Sequence, residues 1–156
     1  MGGRLVPAAG VLVLDQLSKA AVLRWLQPHQ VVELLPGLNL TLVFNRGAAF
    51  SFLAGAGGWQ RWFFTGLALI ASVVILVLLR RTSPADRLTA GGLALILGGA
   101  VGNLVDRLRW GHVVDFVDLH LGSAHWPAFN VADSAISIGA ALLLWGMWRN
   151  GRIKAR

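Results

Sequence analysis

Long apolar runs separated by short polar stretches dominate this chain. Phe63 to Leu79 reads FFTGLALIASVVILVLL, with no charge in it. Four such runs are long enough to cross a hydrocarbon core, which takes about 20 helical residues: Leu5 to Leu26, Trp62 to Leu79, Leu88 to Leu108, and Val131 to Trp148. A different period appears once, in LNLTLVFN (Leu38 to Asn45), where apolar and polar residues alternate between Pro36-Gly37 and Gly47. That alternation predicts a short strand. The expected fold is a mainly α membrane protein of a single domain, 1–156. It has four transmembrane helices, connections over about 27–61 and 109–130 that include a small β platform, and an interfacial loop.

Composition agrees with this pattern. The chain is 56% hydrophobic and 13% charged, with a mean hydropathy of +0.65, values typical of bilayer proteins. The net charge of +7 comes from fourteen Lys and Arg scattered singly or in pairs at the edges of apolar runs. Nucleic-acid binding, which needs a clustered basic face, is not expected. There is no cysteine, hence no disulfide or thiol nucleophile. MGGRLVPAAGVLVL begins like a secretion signal, but Asp15, Gln16 and Lys19 follow where a small-residue cleavage site would stand. We read it as a retained first span. Val6 stands where a myristoylation motif would have Ser or Thr.

Charge also suggests orientation. RRTSPADR (Arg80 to Arg87) is a short turn with three arginines, and the tail RNGRIKAR adds four more basic residues. Basic loops favour the cytoplasmic side, so both termini are expected inside and the two long connections together outside. Gly98 and Gly102, in GGAVG, have the small-xxx-small spacing that lets helices approach closely, and are read as packing.

Four of the seven acidic residues, Asp106, Asp115, Asp118 and Asp133, then fall at the outer interface. Two carboxylates held close in a low-dielectric site tend to share one proton, leaving one as general base and the other as general acid. Asp133 opens a helix, where a carboxylate is favoured by the dipole alone. Asp106 precedes Arg107 and Arg109, which suggests a structural ion pair. Asp115 and Asp118, in HVVDFVDLHL, would lie on opposite faces of an extended segment, so one of them is expected at the site; spacing does not say which. Asp15 and Lys19 stand one turn apart on a helix, an arrangement with an obvious structural purpose. Asn45 and Asn103 could orient a substrate backbone, and Gly47-Ala48-Ala49 would admit an extended chain. His112, His120 and His125 with Asp115 and Asp118 lack a compact metal-ligand spacing.

In order, DQLSK (Asp15 to Lys19), NRGAAFSF (Asn45 to Phe52), GGAVGNLVDR (Gly98 to Arg107), VVDFVD (Val113 to Asp118) and FNVADSAI (Phe129 to Ile136) resemble the bacterial lipoprotein signal peptidase family, also called signal peptidase II. The resemblance covers nearly the whole chain. It implies an inner-membrane aspartic endopeptidase that removes signal peptides from prolipoproteins, cutting before a cysteine that carries diacylglycerol. It also implies no metal or other cofactor and inhibition by globomycin; the charge topology puts the site on the periplasmic side, and a monomer among membrane lipid is expected. The catalytic pair implied is Asp115 and Asp133. Asp15, Asn45, Asn103, Asp106, Arg107 and Asn130 match positions that shape the pocket and contact substrate. A small ion-coupled carrier is the alternative, but would spread its acids through the membrane depth and show repeat symmetry. A non-catalytic scaffold would have little use for convergent acids.

Overall fold

The computed structural model describes residues 2–47 and 58–154. Four long helices, α1 (Gly2–Trp25), α2 (Trp59–Arg81), α3 (Arg87–Trp110) and α4 (Val131–Lys154), coincide with the four predicted runs, α1 ending one residue before Leu26. Each is long and apolar enough to cross a membrane. α3 is the central helix, packing against α1, α2 and α4. Its glycines allow this. A Cβ on Gly98 would stand 2.6 Å from the Ala8 carbonyl oxygen of α1, and one on Gly102 would stand 2.6 Å from the Asp15 carboxylate. Gly98 serves packing as its spacing predicts, whereas Gly102 makes room for a charged group.

α2 is the plain helix its sequence suggests. Leu67, Ile70, Val73 and Val74 are exposed on it, a face that suits lipid. Its C-terminal carbonyls are met by Arg4 of α1, whose guanidinium donates to Leu79 O at 3.2 Å and Thr82 O at 2.7 Å. Across the same turn, Asp86 caps α3 by accepting from Thr89 N at 3.1 Å.

At the opposite end lies an antiparallel sheet in the order β1 (Val31–Leu35), β2 (Leu38–Asn45), β3 (Val113–Leu121), β4 (Ala124–His125). β2 is the strand that alternation predicts; β1, β3 and β4 add to it. Val22 of α1 packs with Leu42, Val114 and Phe116, fastening sheet to bundle. The register between β2 and β3 shifts once. Leu40 pairs with Val117, but Val43 pairs with Asp115, so β2 carries one extra residue between them. Such a bulge exchanges the faces of every residue beyond it.

Candidate active site

The bulge decides what Asp115 touches. Beyond it, Asp115 lies opposite Val43, which puts Asn45, two residues further along β2, diagonally across on the same face. Asn45 Nδ2 donates to Asp115 Oδ2 at 3.0 Å. In the unshifted register Asn45 would point the other way. Before the bulge, Asn39 pairs directly with Asp118 and donates to it at 2.9 Å. Asp115 and Asp118 thus occupy opposite faces of β3. The second carboxylate belongs to α4. Asn130 Oδ1 accepts from Asp133 N at 2.9 Å while Asp133 Oδ2 accepts from Asn130 N at 3.3 Å, the reciprocal pair of a capping box. Asp133 is therefore held at the first turn of α4 by the same bonds that start the helix.

Asparagines bridge these acids. Asn130 Nδ2 donates to Asp115 Oδ1 at 2.7 Å, and Asn103 Nδ2 donates to Asp133 Oδ1 at 2.8 Å. Each amide is oriented by a donor at its own oxygen: Gly47 N for Asn45 (3.0 Å), Asp133 N for Asn130, and Lys19 Nζ for Asn103 (3.0 Å). Both carboxylates consequently face N–H groups. Burial pushes the Asp115 carboxyl up to about 7, with the neighbouring Asp133 adding to the rise against hydrogen bonds from Asn45 and Asn130. Arg107 closes one wall, donating to Asn103 O at 3.4 Å and Gly47 O at 3.3 Å, with its guanidinium 5.7 Å from the Phe64 ring. These groups open onto a cavity of about 880 Å³, lined largely by apolar side chains that include Val43, Phe44, Trp126, Phe129 and Ile136.

Behind the cavity wall sits a separate cluster. Lys19 has no exposed surface; it pairs with Asp15 Oδ2 at 2.8 Å and Asp106 Oδ2 at 2.7 Å. Gln16 donates to Asp15 at 3.1 Å and Asp106 at 2.9 Å. Asp15 Oδ1 accepts from Ala132 N at 3.0 Å, so a carboxylate of α1 also satisfies a free amide of α4.

Of the site residues expected from sequence, Asp115, Asp133, Asn45, Asn103, Arg107 and Asn130 all line or adjoin the cavity. Asp15 and Asp106 lie one layer back. The expectation that Asp106 pairs with Arg107 or Arg109 is corrected: its partners are Lys19, Gln16 and the amide of Val114. Lys19, read only as the partner of Asp15, also joins α1 to Asn103 and Asp106 of α3; its signal is a lysine in mid-span with one acid at i−4 and others elsewhere in the chain. The histidines do not converge with Asp115 and Asp118 on one point. His112 lies tilted against Phe44 with ring centroids 4.5 Å apart, His120 stacks on His125 at 5.0 Å, and His125 pairs with Asp118 at 2.9 Å. Of Gly47-Ala48-Ala49, Ala48 and Ala49 lie outside the described residues.

The family model described as signal peptidase (SPase) II matches residues 7–149. A lipoprotein signal peptidase from Burkholderia thailandensis is 54% identical, over 97% of this chain and 93% of its own. One from Paraburkholderia phymatum has the same identity and coverage. A solved structure of a bacterial membrane enzyme superposes with a TM-score of 0.87 at 28% identity, covering 97% of this chain and 90% of that one. A second gives 0.82 at 28% identity, with 94% and 93% covered.

Proposed function

The chain belongs to the signal peptidase II family and is a multi-pass bacterial membrane peptidase; from that premise we propose that Asp115 and Asp133 form its catalytic pair. The observation that carries this reading is the delivery of one carboxylate from β3 and one from a helix N-terminus to a single cavity, both bridged by asparagine amides. The substrate is a prolipoprotein, cut before a diacylglyceryl-modified cysteine.

Asp115, with its carboxyl raised to about 7, carries the shared proton. Two close carboxylates share one proton, so with Asp115 protonated Asp133 is the ionised partner, aided by the free amides at the α4 N-terminus. Asp133 takes a proton from water as the water oxygen attacks the scissile carbonyl. Asp115 O–H donates to the carbonyl oxygen as negative charge develops on it. When the C–N bond breaks, Asp133 passes its proton to the departing amine. Asn103, Asn130 and Asn45 keep both carboxylates in place, and Arg107 braces the rim. Asp15 and Asp106 support this arrangement from behind. The family match supports a peptidase and not the carrier alternative, and Asp115 and Asp133 meet at one cavity at the sheet end of the bundle.

The basic turn at Arg80 to Arg87 supports a cytoplasmic position for itself and both termini, with the cavity on the periplasmic side of the inner membrane. There the lipid-bearing cysteine and the end of the signal segment are presented at one depth. The apolar cavity suits lipid chains and the cyclic peptide globomycin, and a monomer supplies every group named. Purified protein in detergent should cut a diacylglyceryl-modified prolipoprotein before the modified cysteine, as read by mass spectrometry, and globomycin should block it. Equal cutting of the unmodified precursor would remove the lipid from the recognition scheme. A reporter fused after Pro84 should read cytoplasmic; a periplasmic signal there inverts the topology.

A further inference from the structure

Hydroxyl groups in the spans are nearly all committed. Ser18 donates to Asp15 O at 2.9 Å, Ser72 to Ala68 O at 2.7 Å and Ser134 to Asn130 O at 3.0 Å, each satisfied by its own helix. Thr89 donates to Asp86 Oδ2 at 2.7 Å. Thr65 Oγ1 is unpartnered, but it is buried and does not line the cavity. Ser137 differs from all of these. It is exposed, it lines the cavity, and its hydroxyl makes no hydrogen bond among the described residues. Its neighbours Ile136 and Ile138 line the same space.

Its position gives this free hydroxyl a meaning. Ser137 follows Asp133 by four residues on α4, so the two share a face, with Ser137 about 6 Å further along the axis. That direction leads away from the sheet and into the span. Ala132 and Gly139, on the other side of α4, pack closely against Gly99 and Gly92 of α3, so Ser137 is turned away from the helix interface. At this depth water is scarce, and any polar group of a bound substrate needs a partner from the protein. A hydroxyl that its own helix leaves uncommitted is such a partner.

We propose that Ser137 is a substrate-binding residue whose Oγ–H donates to a carbonyl oxygen of the bound prolipoprotein, one helical turn deeper than the scissile bond. The inference rests on the reading of Asp115 and Asp133 as the reacting pair. Two parts of the substrate carry a carbonyl to that depth: the backbone of the signal segment, and the ester linkages of the diacylglyceryl group. Both offer the same acceptor.

The test is steady-state cleavage by the purified protein and its Ser137→Ala variant, using two prolipoprotein substrates that differ only in ester- or ether-linked lipid chains. Ser137→Ala removes an exposed group, so its thermal stability should match wild type. With the ester substrate, KM should rise about three- to tenfold while kcat stays within about twofold, the size expected for one neutral hydrogen bond. If the penalty disappears with the ether substrate, the partner is the lipid ester; if it persists, the partner is the peptide backbone. Either result supports the role. Unchanged KM with the ester substrate overturns it. Asp115→Asn, run in parallel, separates the two readings: an active Asp115→Asn beside a raised KM in Ser137→Ala would break the catalytic assignment and leave the binding role standing, and the reverse pattern would do the opposite.

Discussion

Asp15 and Asp106, at one layer, and Asp115 and Asp133, at the next, are two pairs of acids handled in opposite ways. The rear pair shares an ammonium group, with Lys19 Nζ 2.8 Å from one and 2.7 Å from the other, and none of the three side chains is exposed. The cavity pair receives amide N–H groups from Asn45, Asn103 and Asn130. The rear carboxylates are tied to a shared buried cation, whereas the front carboxylates meet only neutral N–H donors, which hold their position without a counter-charge in contact. Proximity to a buried lysine therefore marks the rear pair as scaffold, and asparagine bridges mark the front pair as titratable. Asn103 joins the layers, since Lys19 holds its oxygen and thereby aims its N–H at Asp133.

The largest effect should come from the front pair. Asp115→Asn and Asp133→Asn keep volume but remove the shared proton, so each should lower kcat by at least about 10²-fold. Because the two act as a unit, the double variant should be little worse than either single one. Folded yield and thermal unfolding should stay near wild type. An active Asp115→Asn enzyme would dissolve the distinction between the pairs.

The rear pair should respond in stability. Lys19→Met leaves two buried carboxylates without a counter-ion, a change that costs about 3–5 kcal/mol in comparable buried pairs. Thermal unfolding in detergent should show a large drop in midpoint. A normal midpoint together with lost turnover would move Lys19 from the scaffold into the chemistry.

These assignments were only partly legible in the sequence. The spans could be read because apolar length and terminal charge are local properties, and β2 because one of its faces is polar. β3 hides the same signal: Val113, Val114, Asp115 and Phe116 are all buried, so VVDFVDLHL has no clean alternation. The bulge between Leu40 and Val43 has no signature in β2 alone, since a register exists only between two strands. That is why spacing left Asp115 and Asp118 undecided. Lys19 is a similar case. Its i,i+4 bond to Asp15 is visible in DQLSK, but its reach to Asn103 and Asp106 on another helix depends on how the bundle closes. The expected Asp106–arginine pair failed for that reason.

A smaller effect is the pH dependence of stability. With the Asp115 carboxyl raised to about 7 from an ordinary 3.8, the native state holds a proton that the unfolded chain gives up. The stabilisation is fully present below about pH 4 and is lost as pH rises through 7, with a slope of up to about 1.4 kcal/mol per pH unit. Subtracting the unfolding curve of Asp115→Asn from that of wild type between pH 4 and 8 isolates this fall. A difference that is flat or rises with pH would show that Asp115 holds no extra proton in the native state. Turnover should decline on the alkaline side as the same proton is lost.

The smallest effect should fall on Asp118, three residues from Asp115 and identical to it in chemistry. It faces away from the cavity, accepting from Asn39 Nδ2 at 2.9 Å and pairing with His125 Nδ1 at 2.9 Å. Burial pushes its carboxyl up, but the hydrogen bonds from Asn39 and His125 outweigh that and hold it below the usual range, the opposite of Asp115. Its stabilisation is accordingly present above the ordinary carboxylate value and lost as pH falls through the lower native one. His125 is half exposed, so the pair is screened by solvent and salt. Asp118→Asn should cost about 0.5–1 kcal/mol of stability, less at high ionic strength, and leave turnover within about twofold of wild type. The decisive comparison is between neighbours on one strand: an inactive Asp118→Asn beside an active Asp115→Asn would mean that the catalytic face of β3 is the one below the bulge, and that Asn39, not Asn45, is the amide that orients the acid.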